Sequence, residues 1–315
     1  MDPGPDHRHH DRFHALTERA GALPPLRVAV VHPCDAAAME AVEQAQAAGL
    51  IEPVLVGPRA RIEAAAAASG TPLAGIELID TPHSHASAAE GVRLAAGRRV
   101  DAVMKGSLHT DELLEAVVAR DGGLRTERRI SHVYVMDVPA YERLLLVTDA
   151  AVNVAPGLAD KRDIVQNAID FAHVLGISEP RVAALAAVET VNPAMPSTLD
   201  AAALAVMARR GQITGGLVDG PLAFDNAIDR DAARTKGLDS PVAGQADILL
   251  VPDIEAGNML AKQLFYFAGA DGAGLVLGAR VPVILTSRAD SVRVRVASVA
   301  LASLLAHAPR TRADG

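Results

Sequence analysis

The sequence predicts an α/β fold in which mostly parallel strands alternate with helices. Short apolar runs rich in β-branched residues recur along the chain, as at 27–33, 248–251 and 281–285, each bounded by Pro, Gly or Asp. Such runs are typical of strands buried on both faces of a parallel sheet. Segments with helical periodicity lie between them, which indicates βαβ units with helices on both faces. Hydrophobic residues make up 50% of the chain but aromatic residues only 3%, so Ala, Val, Leu and Ile must build the core.

The first part of the chain alternates regularly after a polar head. Residues 1–24 contain four histidines in the run DHRHHDRFH, and we expect a flexible segment there because no fixed spacing of metal ligands is present. Strands are expected at 27–33, 53–57, 76–79 and 100–106, and helices at 36–48, 59–69, 86–96 and 111–119.

The pattern changes after residue 120. Two apolar segments, 130–138 and 143–152, have no long helix between them, so we expect them to pair in antiparallel fashion. A helix then covers 160–175 and ends at Gly176, and the chain closes with a helix over about 291–307. Further strands are expected at 182–188, 213–220, 246–252 and 273–279.

Composition limits the possible classes of function. The net charge of −8 argues against general affinity for nucleic acid. A single cysteine excludes an internal disulfide framework and favours a reducing cytoplasm. No apolar run reaches the roughly 20 residues that span a bilayer, and no signal-peptide core is found near the start. We therefore expect a soluble cytoplasmic protein. With a mass of 32.7 kDa, the chain is large enough to form two lobes.

Ser287 and Arg288 follow the strand at 281–285 and precede the last helix. Open α/β sheets bind ligands at the carboxyl ends of their strands, and a helix N-terminus favours an anion there. The guanidinium of Arg288 adds a planar fork suited to phosphate. These features indicate a site for an anionic substrate.

Several ordered blocks together resemble the phosphate acetyltransferase and butyryltransferase family, enzymes that move an acyl group between coenzyme A and inorganic phosphate. The likeness covers roughly residues 26–308 and is most similar to the phosphate acyltransferase region found behind an enoyl-CoA hydratase domain. The blocks are KGSLHTDELLEAVV, RRISHVYVMDVP, LLLVTDAAVNVAP, DKRDIVQNAIDFAHVLGI, VETVNPAMPSTLDAAAL, DGPLAFDNAI and the run from Ala246 to Ser291.

The resemblance implies a two-lobed, three-layer α/β/α architecture with mostly parallel sheets, similar to the isocitrate and isopropylmalate dehydrogenases. It places a cleft between a first domain, 25–140 plus 279–315, and a second domain, 141–278. It also implies a homodimer.

The implied activity is reversible transfer of a short acyl group, acetyl or butyryl, between coenzyme A and phosphate. Coenzyme A and acyl-CoA enter as substrates, with no tightly bound cofactor and no metal. By the resemblance, Ser287 hydrogen-bonds the sulfur or the tetrahedral oxygen, and Arg288 clamps phosphate and the oxyanion.

Two positions depart from the acetyl-type members of the family. The aspartate that they carry seven residues after the serine, proposed as the base for the thiol, is replaced here by Val294. Asp290 is the nearest alternative base, against the simpler interpretation of helix capping. Acetyl-type members also have an arginine where this chain has Tyr266, so the acyl chain length stays open.

Other residues are weaker candidates for substrate binding. Three cations, Lys105, Arg128 and Arg129, lie inside family-like blocks. Five further candidates follow strand ends, where helix capping or structural hydrogen bonds would explain them equally well: Asp149, Asn153, Glu255, Gly257 and Asn258.

Three other functions compete with this interpretation. An acyl phosphate synthase that uses acyl-carrier protein belongs to the same superfamily. A decarboxylating dehydrogenase would need aspartates converging on a metal, and neither such a cluster nor a G-x-G-x-x-G fingerprint is found. A non-catalytic subunit that binds coenzyme A is favoured by Val294 and Tyr266 but opposed by the intact TSRADS run.

Overall fold

The structure is a computed structural model that describes residues 10–286 and 290–309. Its helices are α1 Asp11–Gly21, α2 Ala36–Ala47, α3 Arg59–Ser69, α4 Ser84–Ala96, α5 Thr110–Val117, α6 Leu158–Leu175, α7 Pro196–Arg209, α8 Phe224–Ile228, α9 Arg230–Thr235, α10 Ile254–Tyr266 and α11 Val292–His307. Its strands are β1 Leu26–Val31, β2 Ile51–Gly57, β3 Glu77–Asp80, β4 Ala102–Lys105, β5 Ser131–Asp137, β6 Leu144–Thr148, β7 Arg181–Leu185, β8 Leu217–Leu222, β9 Ile248–Leu250, β10 Asp271–Leu277 and β11 Val283–Ile284.

The described chain forms two compact units. We name them by their place in the sequence. The central unit is Ser131–Gly272 together with the described residues up to Leu16, and the outer unit is Thr17–Ile130 together with the described residues from Ala273 onward. The domain division expected from the resemblance, with limits at residues 141 and 278, stays a prediction.

In the outer unit, five strands are parallel in the order β3-β2-β1-β4-β11, and β10 pairs with β11 in antiparallel fashion. The sequence of β1, LRVAVV, explains its place, because every residue except Arg27 is buried. Parallel strands in one sheet end at the same edge, so the residues after β1, β2, β3, β4 and β11 gather there.

In the central unit, β6, β9, β7 and β8 are neighbours in that order and run parallel. β5 pairs with β6 in antiparallel register, with Val133 opposite Thr148. The amino end of β5 therefore lies beside the carboxyl end of β6. The antiparallel pairing expected from the missing helix is confirmed, as is the α/β class with mostly parallel strands.

The structure differs from the sequence prediction near the start of the described chain. Residues that were expected to be flexible form helix α1, in which Phe13 and Leu16 are buried. Asp137, itself buried, accepts hydrogen bonds from Arg12 Nε at 2.9 Å and from the Phe13 N–H at 3.0 Å. The apolar stripe of α1 and this charged anchor explain why a polar segment is helical.

No helix within the described ranges is long and apolar enough to cross a membrane.

Candidate active site

At the carboxyl edge of the outer unit, β1 has its neighbours β2 and β4 on opposite sides, which is a topological switch point of the sheet. β2 lies on one side of β1 and β4 on the other, so the segments that follow β1 and β4 diverge. Such a point is the usual ligand crevice of an open α/β sheet. The segments that follow β1 and β4 are 32–35 and 106–109.

Two hydrogen bonds and one glycine hold these segments closely together. Ser107 Oγ accepts from the Cys34 N–H at 3.0 Å and donates to the His32 carbonyl at 2.8 Å. A Cβ on Gly106 would lie 2.5 Å from the Val31 carbonyl oxygen, so only glycine fits there. The two segments therefore hold each other in one fixed arrangement.

His32 is buried at this edge and both of its ring nitrogens have partners. Nδ1 lies 3.2 Å from Ser87 Oγ, and Nε2 lies 3.3 Å from Arg61 Nη1. Burial, and then the Arg61 charge, hold the pKa of His32 below its usual value. A neutral imidazole with two partners is part of the framework of this unit.

Lys105, at the end of β4, is 3% exposed. Its Nζ donates to the carbonyl oxygens of Gly106 at 3.2 Å and Leu108 at 3.1 Å. The ammonium group thus stabilises the turn after β4, and its predicted contact with substrate stays a prediction.

The two predicted arginines precede β5. Arg128 is half-buried and its N–H donates to Thr126 Oγ1 at 3.1 Å, while Thr126 Oγ1 donates to the Gly278 carbonyl at 2.8 Å. Arg129 is exposed. Both belong to the outer unit, as Lys105 does.

Ser287 and Arg288 lie outside the described residues. The strand before them is described: β11 runs parallel to β4, and the chain continues through buried Thr286. The predicted catalytic pair therefore follows a strand that ends at the same edge as β1 and β4.

Asp290 is half-buried near the start of α11. Its backbone carbonyl lies 3.4 Å from Arg295 Nε. The helix cap is the neighbouring residue, because Ser291 Oγ accepts from the Val294 N–H at 3.3 Å. The N-cap is thus Ser291 and not Asp290, and the role of Asp290 as a base stays a prediction.

In the central unit, Asp149 follows β6 and is 2% exposed. One carboxylate oxygen accepts from the N–H groups of Ala151 and Val152, each at 2.9 Å. The other accepts from the Asn153 N–H at 3.1 Å and from Asn153 Nδ2 at 2.6 Å. With four donors, the carboxylate of Asp149 builds the loop 149–153.

The start of α10 packs directly on this loop. A Cβ on Gly257 would lie 2.7 Å from Val251 Cγ2 and 3.0 Å from Ala150 Cα, so glycine permits the close approach. Asn258 Nδ2 donates to the Ala150 carbonyl at 3.4 Å. Asp253, not Glu255, caps the helix by accepting from the Ala256 N–H at 2.9 Å, which leaves Glu255 exposed.

The structure therefore brings Asp149, Asn153, Gly257 and Asn258 together at the carboxyl edge of the central unit. Tyr266 is separate from this group at the last residue of α10, with 77% of its surface exposed.

Sequence reasoning missed His132 in this unit. It precedes Val133, which pairs with Thr148, so it reaches the same edge as Asp149. The ring is 1% exposed, and within the described part of the chain Nδ1 has no hydrogen-bond partner. Burial lowers the pKa of His132 to about 4, while the Asp149 charge acts in the opposite direction. The sequence shows only that a histidine lies at the start of a strand. The register between β5 and β6 is needed to show that this histidine lies at the same edge as Asp149.

Among the residues that the structure describes, no group of three or more His, Cys, Asp or Glu side chains is placed to hold a metal ion. The polar groups at both edges are hydrogen-bond donors, acceptors and cations, which suit an organic anion or phosphate.

Comparison with known proteins identifies the family. Residues 86–303 match the family described as "Phosphate acetyl/butaryl transferase". A phosphate acetyltransferase of Rhizobium meliloti is 57% identical over 302 residues, which are 96% of this chain and 95% of that protein. A phosphate butyryltransferase of Clostridium beijerinckii is 43% identical over 294 residues, 93% of this chain and 97% of that protein.

A solved structure agrees with these relatives. The crystal structure of a branched-chain phosphotransacylase from Enterococcus faecalis V583 superposes with a TM-score of 0.78 at 30% identity, covering 90% of this chain and 99% of that one. The chain belongs to the phosphate acetyl/butyryl transferase family.

Proposed function

We propose that this protein catalyses reversible transfer of a short acyl group between coenzyme A and inorganic phosphate, giving an acyl phosphate. The observation that carries the proposal is the 57% identity, over 96% of the chain, to a phosphate acetyltransferase. Acyl-CoA and phosphate are the substrates, and the chemistry requires no resident metal or prosthetic group.

The reaction needs two substrates held together and charge stabilised at the acyl carbon. Phosphate attacks the thioester carbonyl, an oxyanion develops, and coenzyme A leaves as a thiolate that takes up a proton. Proximity contributes several kcal/mol, and each hydrogen-bond donor aimed at the oxyanion adds about 3 kcal/mol. We assign these donors to Ser287 and Arg288.

The base that serves the thiol in the reverse direction is assigned to Asp290. Val294, at the acetyl-type position, has no group that can accept a proton. Asp290 is half-buried, adjoins Ser291 at the start of α11 and comes three residues after Ser287 in the sequence, and this nearness supports the assignment. A thiol of pKa about 8.5 also ionises more readily in a positive field, so a weak base suffices.

Substrate binding is assigned to groups at the carboxyl edges of both units. Lys105, Arg128 and Arg129 supply positive charge in the outer unit. In the central unit, Asp149 and Asn153 build a loop on which the start of α10 packs closely at Gly257, and Asn258 of that helix adds a polar side chain beside the loop. Glu255 and Tyr266, which are both exposed, are also assigned to substrate binding.

Acetyl is the acyl group we favour, because the phosphate acetyltransferase relative is more similar than the butyryltransferase relative, at 57% against 43% identity. Butyryl is the second candidate, favoured by Val294 and Tyr266, which both depart from the acetyl-type pattern. Acyl-carrier protein as the acyl donor and a non-catalytic role in coenzyme A binding are the remaining alternatives.

A cytoplasmic homodimer is the assembly we propose. Large apolar side chains that stay exposed support it, among them Met259 in α10 at 59% and Phe267 at its C-cap at 89%. Exposed apolar clusters of this kind are typical of protein interfaces. Light scattering of the purified chain measures the assembly directly.

The test is phosphate-dependent release of free thiol from acetyl-, propionyl- and butyryl-CoA. We expect release with acetyl-CoA fastest, and a loss of at least about 100-fold in Arg288→Ala because an oxyanion and phosphate ligand is removed. Arg162→Ala is the matched control, since Arg162 is exposed and pairs with its neighbour Asp163 at 2.7 Å.

Release that is equal in Arg288→Ala and in the wild type would remove Arg288 from the mechanism. Absence of release from all three thioesters at saturating phosphate, in a protein that still binds coenzyme A, would contradict the proposed function. It would instead support the binding subunit or an acyl-carrier substrate.

A further inference from the structure

His132 is a buried polar group that the reaction scheme above does not use. It stands at the start of β5, and its backbone carbonyl accepts a hydrogen bond from Thr148 Oγ1 at 2.8 Å. Its ring contacts Tyr134 edge to face, with ring centroids 4.5 Å apart, and Tyr134 in turn contacts Phe265 with centroids 5.6 Å apart. The position of the imidazole is therefore fixed by backbone and by packing.

One nitrogen of this fixed ring has no hydrogen-bond partner among the residues that the structure describes. Buried polar atoms in proteins nearly always form a hydrogen bond, and an exception usually has a functional reason. In the described part of the chain Nδ1 of His132 is such an exception, although the residue is only 1% exposed. The carboxylate of Asp149 does not serve it, because that carboxylate accepts four hydrogen bonds from its own loop.

The surroundings of His132 point to a ligand at this place. His132 precedes Val133, the partner of Thr148, so its backbone lies next to the start of the loop 149–153, and that loop packs on the start of α10 at Gly257. This is the carboxyl edge of the strands, where an α/β sheet binds its ligand.

We propose that His132 contacts the substrate of the acyltransferase, and that its Nδ1–H donates a hydrogen bond to an oxygen of the bound acyl substrate. This inference rests on the proposed function. The oxygen belongs either to the acyl carbonyl or to a phosphate group, and both accept such a bond. The low pKa keeps the imidazole uncharged near neutral pH, which suits a donor better than a base.

The first test follows the ring nitrogens of His132 by ¹⁵N NMR in the histidine-labelled full chain, assigned with His132→Asn. Acetyl phosphate, inorganic phosphate and coenzyme A are added separately. A shift of the Nδ1 resonance with acetyl phosphate but not with phosphate identifies the acyl carbonyl, and a shift with both identifies a phosphate oxygen. An Nδ1 resonance that none of the three probes moves overturns the proposal.

The second test separates the two ring nitrogens by kinetics. Asn places a polar atom near Nδ1, and Gln places one near Nε2, so His132→Asn should keep kcat/KM within about tenfold and His132→Gln should lose about 100-fold. The pH profile of kcat should keep its shape in His132→Asn. The reverse order of the two variants, or an acid limb that vanishes in His132→Asn, would overturn the role as a donor.

His173→Asn is the matched control. That histidine lies in α6 of the same unit, is exposed, and has Nε2 2.7 Å from the Gly215 carbonyl. We expect unchanged kinetics. If the proposed function is wrong, the wild-type protein releases no thiol. If only the role of His132 is wrong, the wild type releases thiol but the NMR titration, which does not depend on turnover, shows no shift.

Discussion

Two buried histidines occupy equivalent places in the two units, at the carboxyl edge of a mostly parallel sheet. His32 follows β1 in the outer unit, and His132 starts β5 in the central unit; they are 4% and 1% exposed. Burial lowers the pKa of both. They differ in their partners, since Ser87 and Arg61 serve both nitrogens of His32 whereas Nδ1 of His132 is left without one in the described chain. Equal burial therefore does not imply an equal role.

The largest effect expected from this pair is on stability at acid pH. The folded-state pKa of His132, about 4, lies below the unfolded value of 6.5. The unfolded chain therefore binds more protons between these values, and stability falls as the pH decreases from 6.5 toward 4. The full difference corresponds to about 3 kcal/mol, and His32 adds to it in the same direction.

Urea midpoints measured at pH 7 and pH 5 check this expectation. The wild type should lose stability at pH 5, and His132→Asn should lose clearly less than the wild type does. An equal loss in the two proteins would show that His132 is already accessible to protons in the folded state.

The second effect separates the histidines by activity. Replacing His132 by Phe should lower kcat/KM about 100-fold, because a donor to the substrate is removed. His32→Phe should stay within about threefold of the wild type per folded molecule, because its bonds are internal to the framework. Steady-state kinetics with acetyl phosphate and coenzyme A measure both variants, and similar losses in the two would end the distinction between them.

The third effect is on stability at neutral pH, where we expect His32 to be the more important of the two histidines. His32→Phe removes the contacts to Ser87 and Arg61, and we expect it to destabilise the outer unit by about 2 kcal/mol. Thermal unfolding of the variant beside the wild type gives the value. A midpoint unchanged within error would mean that solvent serves the polar partners as well as His32 does.

The smallest effect concerns Cys34, two residues after His32. Burial raises the pKa of the Cys34 thiol, ahead of the opposing effect of Arg61. Because the thiolate is the reactive form, alkylation of the native protein at pH 8 should be about tenfold slower than in urea. Mass spectrometry over time follows the adduct, and equal rates in both conditions would show that Cys34 is freely accessible.

Much of the fold could be predicted because the physical signals were local. Apolar runs bounded by Pro and Gly gave the strands of the outer unit, and the absence of a helix between 130–138 and 143–152 gave the antiparallel pair β5 and β6. Helix α1 was missed because the histidine-rich run outweighed the spacing of Phe13, Leu16 and Ala20, which forms one buried stripe.

The candidate site could be predicted only in part, because sequence shows where strands end but not which ends are neighbours. Asp149, Gly257 and Asn258 were chosen as strand-end residues, and β6 and β9 do place them together. The four hydrogen bonds to Asp149 and the missing partner of His132 depend on three-dimensional packing, so no pattern in the sequence reveals them.

The most direct test of the central claim is the identity of the product. Acetyl-CoA, phosphate and the purified chain are mixed, and ³¹P NMR follows the phosphorus signals while free thiol is measured in the same sample. We predict an acetyl phosphate resonance that grows in step with free coenzyme A and disappears when excess coenzyme A is added. Free acetate without acetyl phosphate, or no loss of acetyl-CoA, would contradict a phosphate acyltransferase.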